Sequence, residues 1–154
     1  LKAVDVITQP HPGFMTDWQP LWAVLMTQAQ GESVIHETIH PNRFGYIPGL
    51  VNMGARIKLF NPQVTNKAKT YHFNRQDDHP SFHHAARIFG PTPLQGKPIT
   101  VPDLRAGATF VLAALVAQGE SLIRHVEHIE RGYESFETRL KLIGAKINRI
   151  ANDN

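Results

Sequence analysis

The stretch Leu104 to Ala117, LRAGATFVLAALVA, is apolar around almost its whole circumference. A helix of this kind is buried on several sides instead of lying on one face of a sheet. Pro102-Asp103 stands before it, and Asp is a preferred N-cap because its carboxylate accepts orphan amide hydrogen bonds. Gly119-Glu120-Ser121 turns the chain after it, and Leu122 to His125 reads as a strand. Tyr133 to Ile143 has a helical pattern, and Gly144-Ala145-Lys146-Ile147 starts a last strand. Helices inside and strands outside is the expected architecture.

Sliding the chain past itself by roughly 86 to 90 residues finds the same grammar again, and internal repeats of this kind define a fold before any motif does. Thr16-Asp17 opens a helical pattern through Ala29, Gly31-Glu32-Ser33 turns it, and Val34 to Thr38 reads as a strand. Tyr46 to Met53 is a second helix, and Gly54-Ala55-Arg56-Ile57 opens another strand. Gly54 and Gly144 stand where a helix C-cap takes a left-handed residue. The reading is one α/β domain with repeat units about 1–60 and 87–150. An irregular excursion of about 61–86 separates them, with short strands near Lys69 to Phe73 and Arg87 to Gly90.

Composition excludes several functions. Without cysteine these residues hold no disulfide framework, thiolate metal site or cysteine nucleophile. The chain of 154 residues, 42% hydrophobic and 19% charged, buries a real core. Its formal charge of +3 is scattered without a basic run or arm, which favours small anions over nucleic acid as partners. No basic-then-apolar leader and no run of about 18 or more apolar residues occurs, so a cytoplasmic protein without membrane association is expected. Because Leu1 opens the chain, truncation upstream is also expected. The histidines of His79-Pro80-Ser81-Phe82-His83-His84, and the pair His125 and His128, lack a carboxylate or cysteine to complete a ligand set. No metal and no cofactor are expected.

The candidates for chemistry are the repeated ones. Asp17 and Asp103 open equivalent helices, where capping is the ordinary role. Asn42-Arg43-Phe44 and Glu130-Arg131-Gly132-Tyr133 precede equivalent second helices, and a surface position is ordinary for an arginine. Equivalent helix starts and loops at one end of two units would nevertheless gather carboxylates and guanidiniums around one cleft.

Four segments in order, PGFMTDWQ at Pro12 to Gln19, ETIHPNRF at Glu37 to Phe44, PDLRAGA at Pro102 to Ala108 and HIERGYE at His128 to Glu134, resemble the successive motifs of UDP-N-acetylglucosamine enolpyruvyl transferases. The resemblance covers nearly all of the chain except about Asn61 to Phe89. It implies an inside-out α/β prism of repeated βαβαββ units, two of which are present here. It also implies transfer of the enolpyruvyl group of phosphoenolpyruvate to the 3-hydroxyl of the sugar nucleotide, with release of phosphate, at the start of peptidoglycan precursor synthesis.

On the matching positions, the resemblance makes Asp17 a contact of that hydroxyl and the acceptor of its proton. Ile39 would touch the sugar nucleotide mainly through its backbone, as a main-chain donor, with His40 lining the same wall and Arg43 supporting the charge balance. Asp103 would sit near the reacting carbons, with Arg105 in the same motif, and Arg131 would bind phosphoenolpyruvate through two parallel bonds. Glu130 departs from the aspartate usual before that arginine. The loop carrying the family's catalytic cysteine or aspartate, and its N-terminal lysine and asparagine, have no counterpart in these residues, so the expected partner is the N-terminal part of the same enzyme. The competing expectation is a noncatalytic sugar-nucleotide-binding or assembly module on the same fold.

Overall fold

The computed structural model describes residues 1–150. Two βαβ crossovers organise it. Strand β1 (Val6–Ile7) runs parallel to β2 (Gly31–His36) across helix α1 (Gln19–Thr27). Strand β5 (Pro98–Thr100) runs parallel to β6 (Leu122–Arg124) across helix α4 (Leu104–Val116). Parallel neighbours need such a crossover, so each helix begins beyond the C-terminal end of the strand before it.

The first unit continues through α2 (Ile47–Asn52), β3 (Arg56–Phe60) and β4 (Ala85–Gly90). Strand β4 is antiparallel to both β2 and β3, and the sheet order is β1-β2-β4-β3. The second unit expected from about residue 87 therefore overlaps a strand that completes the first sheet. We place the proposed division after Gly90.

Helix α4 is buried on all sides in its first half. Ala106, Gly107, Ala108, Thr109, Phe110 and Val111 are consecutive and all buried. It packs against α1, α2 and α5 (Glu127–Glu130). The closeness of that packing is visible at Gly107, where a Cβ would lie 2.5 Å from Cγ1 of Ile129 and 3.0 Å from Cγ1 of Val101. Met26, Ile35, Leu50, Met53 and Ile88 fill the space between helices and the first sheet. Val101, Val111, Ile129 and Leu140 form a smaller core under the second unit.

Helices α2 and α6 (Phe136–Leu142) end alike. Gly54 at φ 100° and Gly144 at φ 92° take the left-handed conformation, and the next amide returns to the helix, Ala55 to Leu50 and Ala145 to Leu140. Beyond these glycines the two segments diverge. Arg56 to Phe60 pairs with β4, whereas Ala145 to Ile147 forms no strand, since no strand lies beside it among the described residues. The helix expected from Tyr133 begins at Phe136.

In the excursion, Lys69 lies in a short helix, α3 (Lys67–Thr70), instead of a strand, because the Asn66 side chain accepts from the Lys69 amide at 3.1 Å. Tyr71 to Phe73 then crosses the sheet end without joining it. The His72 amide donates to the Thr38 carbonyl at 2.7 Å, and the rings of Tyr71 and Phe73 lie 4.9 and 5.3 Å from that of His84.

Candidate active site

Both aspartates that open the repeated helices lie at helix starts, but they do different things. Asp103 is a cap. Its Oδ1 accepts from the amides of Arg105 at 2.9 Å and Ala106 at 3.0 Å, with extended backbone at φ −158°. Asp17 caps nothing. It sits in a 3-10 turn, Thr16–Trp18, ahead of α1, and neither that turn nor α1 has a side-chain cap. Its Oδ1 instead accepts from Nη2 of Arg43 at 2.5 Å and Nε of Arg105 at 2.6 Å.

This triad joins the two units, because Asp17 and Arg43 come from the first and Arg105 from the second. Arg43 is largely buried, with its side chain 10% exposed, while Asp17 and Arg105 are 57% and 53% exposed. The hydrogen bond from Arg105 holds the Asp17 carboxyl below its ordinary value of 3.8, with the charges of Arg105 and Arg43 adding to it against partial burial. Among the described residues both of Asp17's hydrogen bonds end on Oδ1, which leaves Oδ2 without one.

Asp17 and Arg105 line a cavity of about 290 Å³ together with Leu21, Leu104, Gly132 and Tyr133. Gly132 lies close against Leu104, where a Cβ would come within 2.8 Å of Cδ2 and the leucine would have to shift. Arg131 stands at the end of α5, immediately before these lining residues, and is exposed. Asp103 is exposed at the start of α4 and does not line this cavity. The structure thus brings Asp17, Arg43 and Arg105 into contact. It places Arg131 beside the cavity through its neighbours, and it gives Asp103 a structural task.

Ile39 and His40 come after β2 on the same side. Burial and the neighbouring Arg43 lower the His40 pKa below its ordinary value, so its ring is neutral near pH 7. The Ile39 amide is already committed, at 2.8 Å, to a carboxylate whose role the motifs alone did not reveal. The main-chain donor expected of Ile39 is therefore already engaged within the chain, and a backbone contact to a ligand is left to its carbonyl.

That carboxylate is Glu37, fully buried. Its Oε1 accepts from Thr8 Oγ1 at 2.9 Å, the Ile39 amide and the His40 amide at 3.0 Å, and its Oε2 accepts from Thr16 Oγ1 at 2.8 Å. The strand period carried its signal. Ser33, Ile35 and Glu37 alternate onto one face of β2 and its extension, and all three are fully buried. Among the described residues no group of three or more His, Asp or Glu is placed to hold a metal ion. His125 bonds Glu127 and His79 bonds Ser81. No helix there is long and apolar enough to cross a membrane.

Comparison with known proteins gives this arrangement a context. A sequence model of the EPSP synthase (3-phosphoshikimate 1-carboxyvinyltransferase) family matches residues 1–140. A protein of Chlamydia trachomatis serovar D named UDP-N-acetylglucosamine 1-carboxyvinyltransferase is 48% identical over 141 residues, which are 91% of this chain and 30% of that protein. One of the same name from Halothermothrix orenii is 43% identical over 97% of this chain and 31% of its own length. The chain thus spans about 30% of the length of the curated relatives it matches. Among solved structures, the enolpyruvyl transferase NikO from Streptomyces tendae superposes with a TM-score of 0.75 at 29% identity, over 96% of this chain and 29% of that one. EPSP synthase from Acinetobacter baumannii, at 18% identity and a TM-score of 0.59, shares the fold.

Proposed function

The chain belongs to the EPSP synthase family of carboxyvinyl transferases, and from that premise we propose that it forms one wall of an active site transferring the enolpyruvyl group of phosphoenolpyruvate to the 3-hydroxyl of UDP-N-acetylglucosamine. The observation that carries this reading is the Asp17–Arg43–Arg105 triad on the cavity wall. Identity of 41% to 48% with relatives named for the sugar nucleotide favours that acceptor over shikimate 3-phosphate. The remaining walls would come from further parts of the same enzyme, as the share of the relatives that is matched implies.

The chemistry has two demands. A proton must leave the sugar hydroxyl, and the negative charge of phosphate and carboxylate must be held while carbon–oxygen bonds change. Asp17 meets the first through Oδ2, since its other oxygen is tied to two arginines. In the resting triad those arginines make it a weak base. An arriving phosphoenolpyruvate competes for the Arg105 guanidinium, and every bond withdrawn from Oδ1 raises the proton affinity of Asp17. Substrate binding thereby arms the base. Arg131, beside the cavity, grips the same anion, and Asp103 keeps the start of α4 in place, its second carboxyl oxygen being left for the role near the reacting carbons that the resemblance implies. His40 and the carbonyl of Ile39 form the sugar-nucleotide side, and Arg43 fixes Asp17 from within.

The test is phosphate release from phosphoenolpyruvate by the complete open reading frame that contains these residues, with and without UDP-N-acetylglucosamine, beside an Asp17→Asn variant. Release that requires the sugar nucleotide and collapses in the variant is the expected result. A folded protein that releases none would overturn it in favour of a noncatalytic sugar-nucleotide-binding or assembly module.

A further inference from the structure

We infer that Glu37 is a positioning residue, a buried brace that sets the distance between the Asp17 turn and the Ile39–His40 wall through the Thr16 hydroxyl; the inference rests on the enolpyruvyl-transfer reading above. Four donors converge on this one carboxylate, and they come from three separate parts of the chain. Thr8 lies just past β1, Thr16 is the residue before Asp17, and Ile39 and His40 open the loop that leads to Arg43. All four partners donate, so both carboxylate oxygens act as acceptors.

A second set of bonds locks the brace from behind. The Thr38 amide donates to Thr8 Oγ1 at 2.7 Å, and the Thr38 hydroxyl donates to the Thr8 carbonyl. Thr8 and Thr38 are as buried as Glu37. On the outer side, among the described residues, Thr16 Oγ1 on Oε2 is the single side-chain bond from this network to the turn that carries Asp17, and Thr16 is itself half-buried. The architecture is a rigid anchor with one arm reaching the site. Burying a carboxylate is expensive unless its bonds are satisfied, so such a group specifies geometry more than it adds stability.

The arm can be cut without touching the anchor. Thr16→Val leaves Glu37 three of its four donors and leaves Asp17, Arg43 and Arg105 intact. In the complete open reading frame, steady-state phosphate release with varied UDP-N-acetylglucosamine should show kcat lower by on the order of tenfold or more, since small misplacements of a catalytic group cost that much. KM should stay within about twofold, because the Ile39–His40 wall keeps its own bonds to Glu37. Thr16→Ser, which keeps the hydroxyl, should recover most of kcat. Thr16→Val leaves the buried Oε2 without its donor and should lower the melting temperature, so turnover is compared at a temperature where circular dichroism shows all three proteins fully folded. Wild-type kcat in folded Thr16→Val would overturn the inference, as would a fall in kcat that serine does not rescue. If the wild-type protein shows no release dependent on the sugar nucleotide, the reading of the reaction fails first and takes this inference with it.

Discussion

Replacing Asp103 by alanine and by asparagine separates its two assigned tasks. The carboxylate accepts from the amides of Arg105 and Ala106, and alanine removes both bonds. Loss of such a cap costs about 1 kcal/mol, with about 0.5 kcal/mol more from the missing charge at the helix N-terminus. Asparagine keeps an acceptor in place and gives up only the charge. Hydrogen exchange of peptides covering the start of α4, followed by mass spectrometry, reads this locally, whatever the size of the protein around it. The two losses together, about 1.5 kcal/mol, correspond to roughly tenfold faster exchange of amides that open with the first turn, and the charge alone, about 0.5 kcal/mol, to roughly twofold. Alanine should show the larger change and asparagine the smaller one. Phosphate release should fall by roughly tenfold or more in both, because both lack the charged second oxygen. Unchanged protection in Asp103→Ala would refute the cap. Wild-type turnover in Asp103→Asn would leave Asp103 a capping residue and nothing else.

The same geometry sets three further outcomes. Arg105→Gln removes the leading cause of the lowered Asp17 pKa. The folded pKa lies below 3.8, so the stabilisation is fully present above that value and is lost as pH falls through the folded one. Urea unfolding should therefore show a gap between wild type and Arg105→Gln at pH 7 that narrows as pH falls below 3.8, and it should not exceed about 1 kcal/mol, since Asp17 and Arg105 are more than half exposed. Gly107→Ala forces a methyl against Ile129 and Val101 and should cost about 1–3 kcal/mol of stability, read as a lower urea midpoint with unchanged slope. Gly132→Val fills the cavity wall against Leu104 and should raise KM for phosphoenolpyruvate several-fold while protection of α4 beyond its first turn stays unchanged.

The parts of this structure that were legible in the sequence are those dictated by one element at a time. The apolar girth of Leu104 to Ala117 demanded burial, and α4 is enclosed by three helices. The glycines at 54 and 144 marked helix ends, and both have positive φ. Legibility failed where a neighbour decides. Nothing in Gly144 to Ile147 says whether a strand will stand beside it, and without one the segment stays irregular. Lys69 to Phe73 has strand-forming residues, but Asn66 caps a helical turn there first. The same limit applies to the site. Asp17 and Asp103 have the same local context in sequence, and only the approach of Arg43 and Arg105 turns one of them from a cap into the centre of an ion triad. Glu37 was readable from strand alternation, since its place two residues after Ile35 puts it on the buried face.

That the triad spans both repeats is a consequence of the packing. Each βαβ unit sends its helix back from the C-terminal end of its first strand, so when α1 and α4 pack together their starts come to the same end of the molecule. The residue after each opening is then free to specialise. In the first unit the turn before α1 leaves Asp17 uncapped and outward, and in the second the cap formed by Asp103 aims the Arg105 side chain across the gap. One carboxylate facing two guanidiniums leaves a surplus of positive charge beside the cavity. In the proposed reaction a surplus of that sign draws in an anion before any chemistry begins, and the anion's arrival releases Asp17 to accept a proton. Attraction and activation are thus two consequences of the same pair of bonds, and neither unit alone contains them.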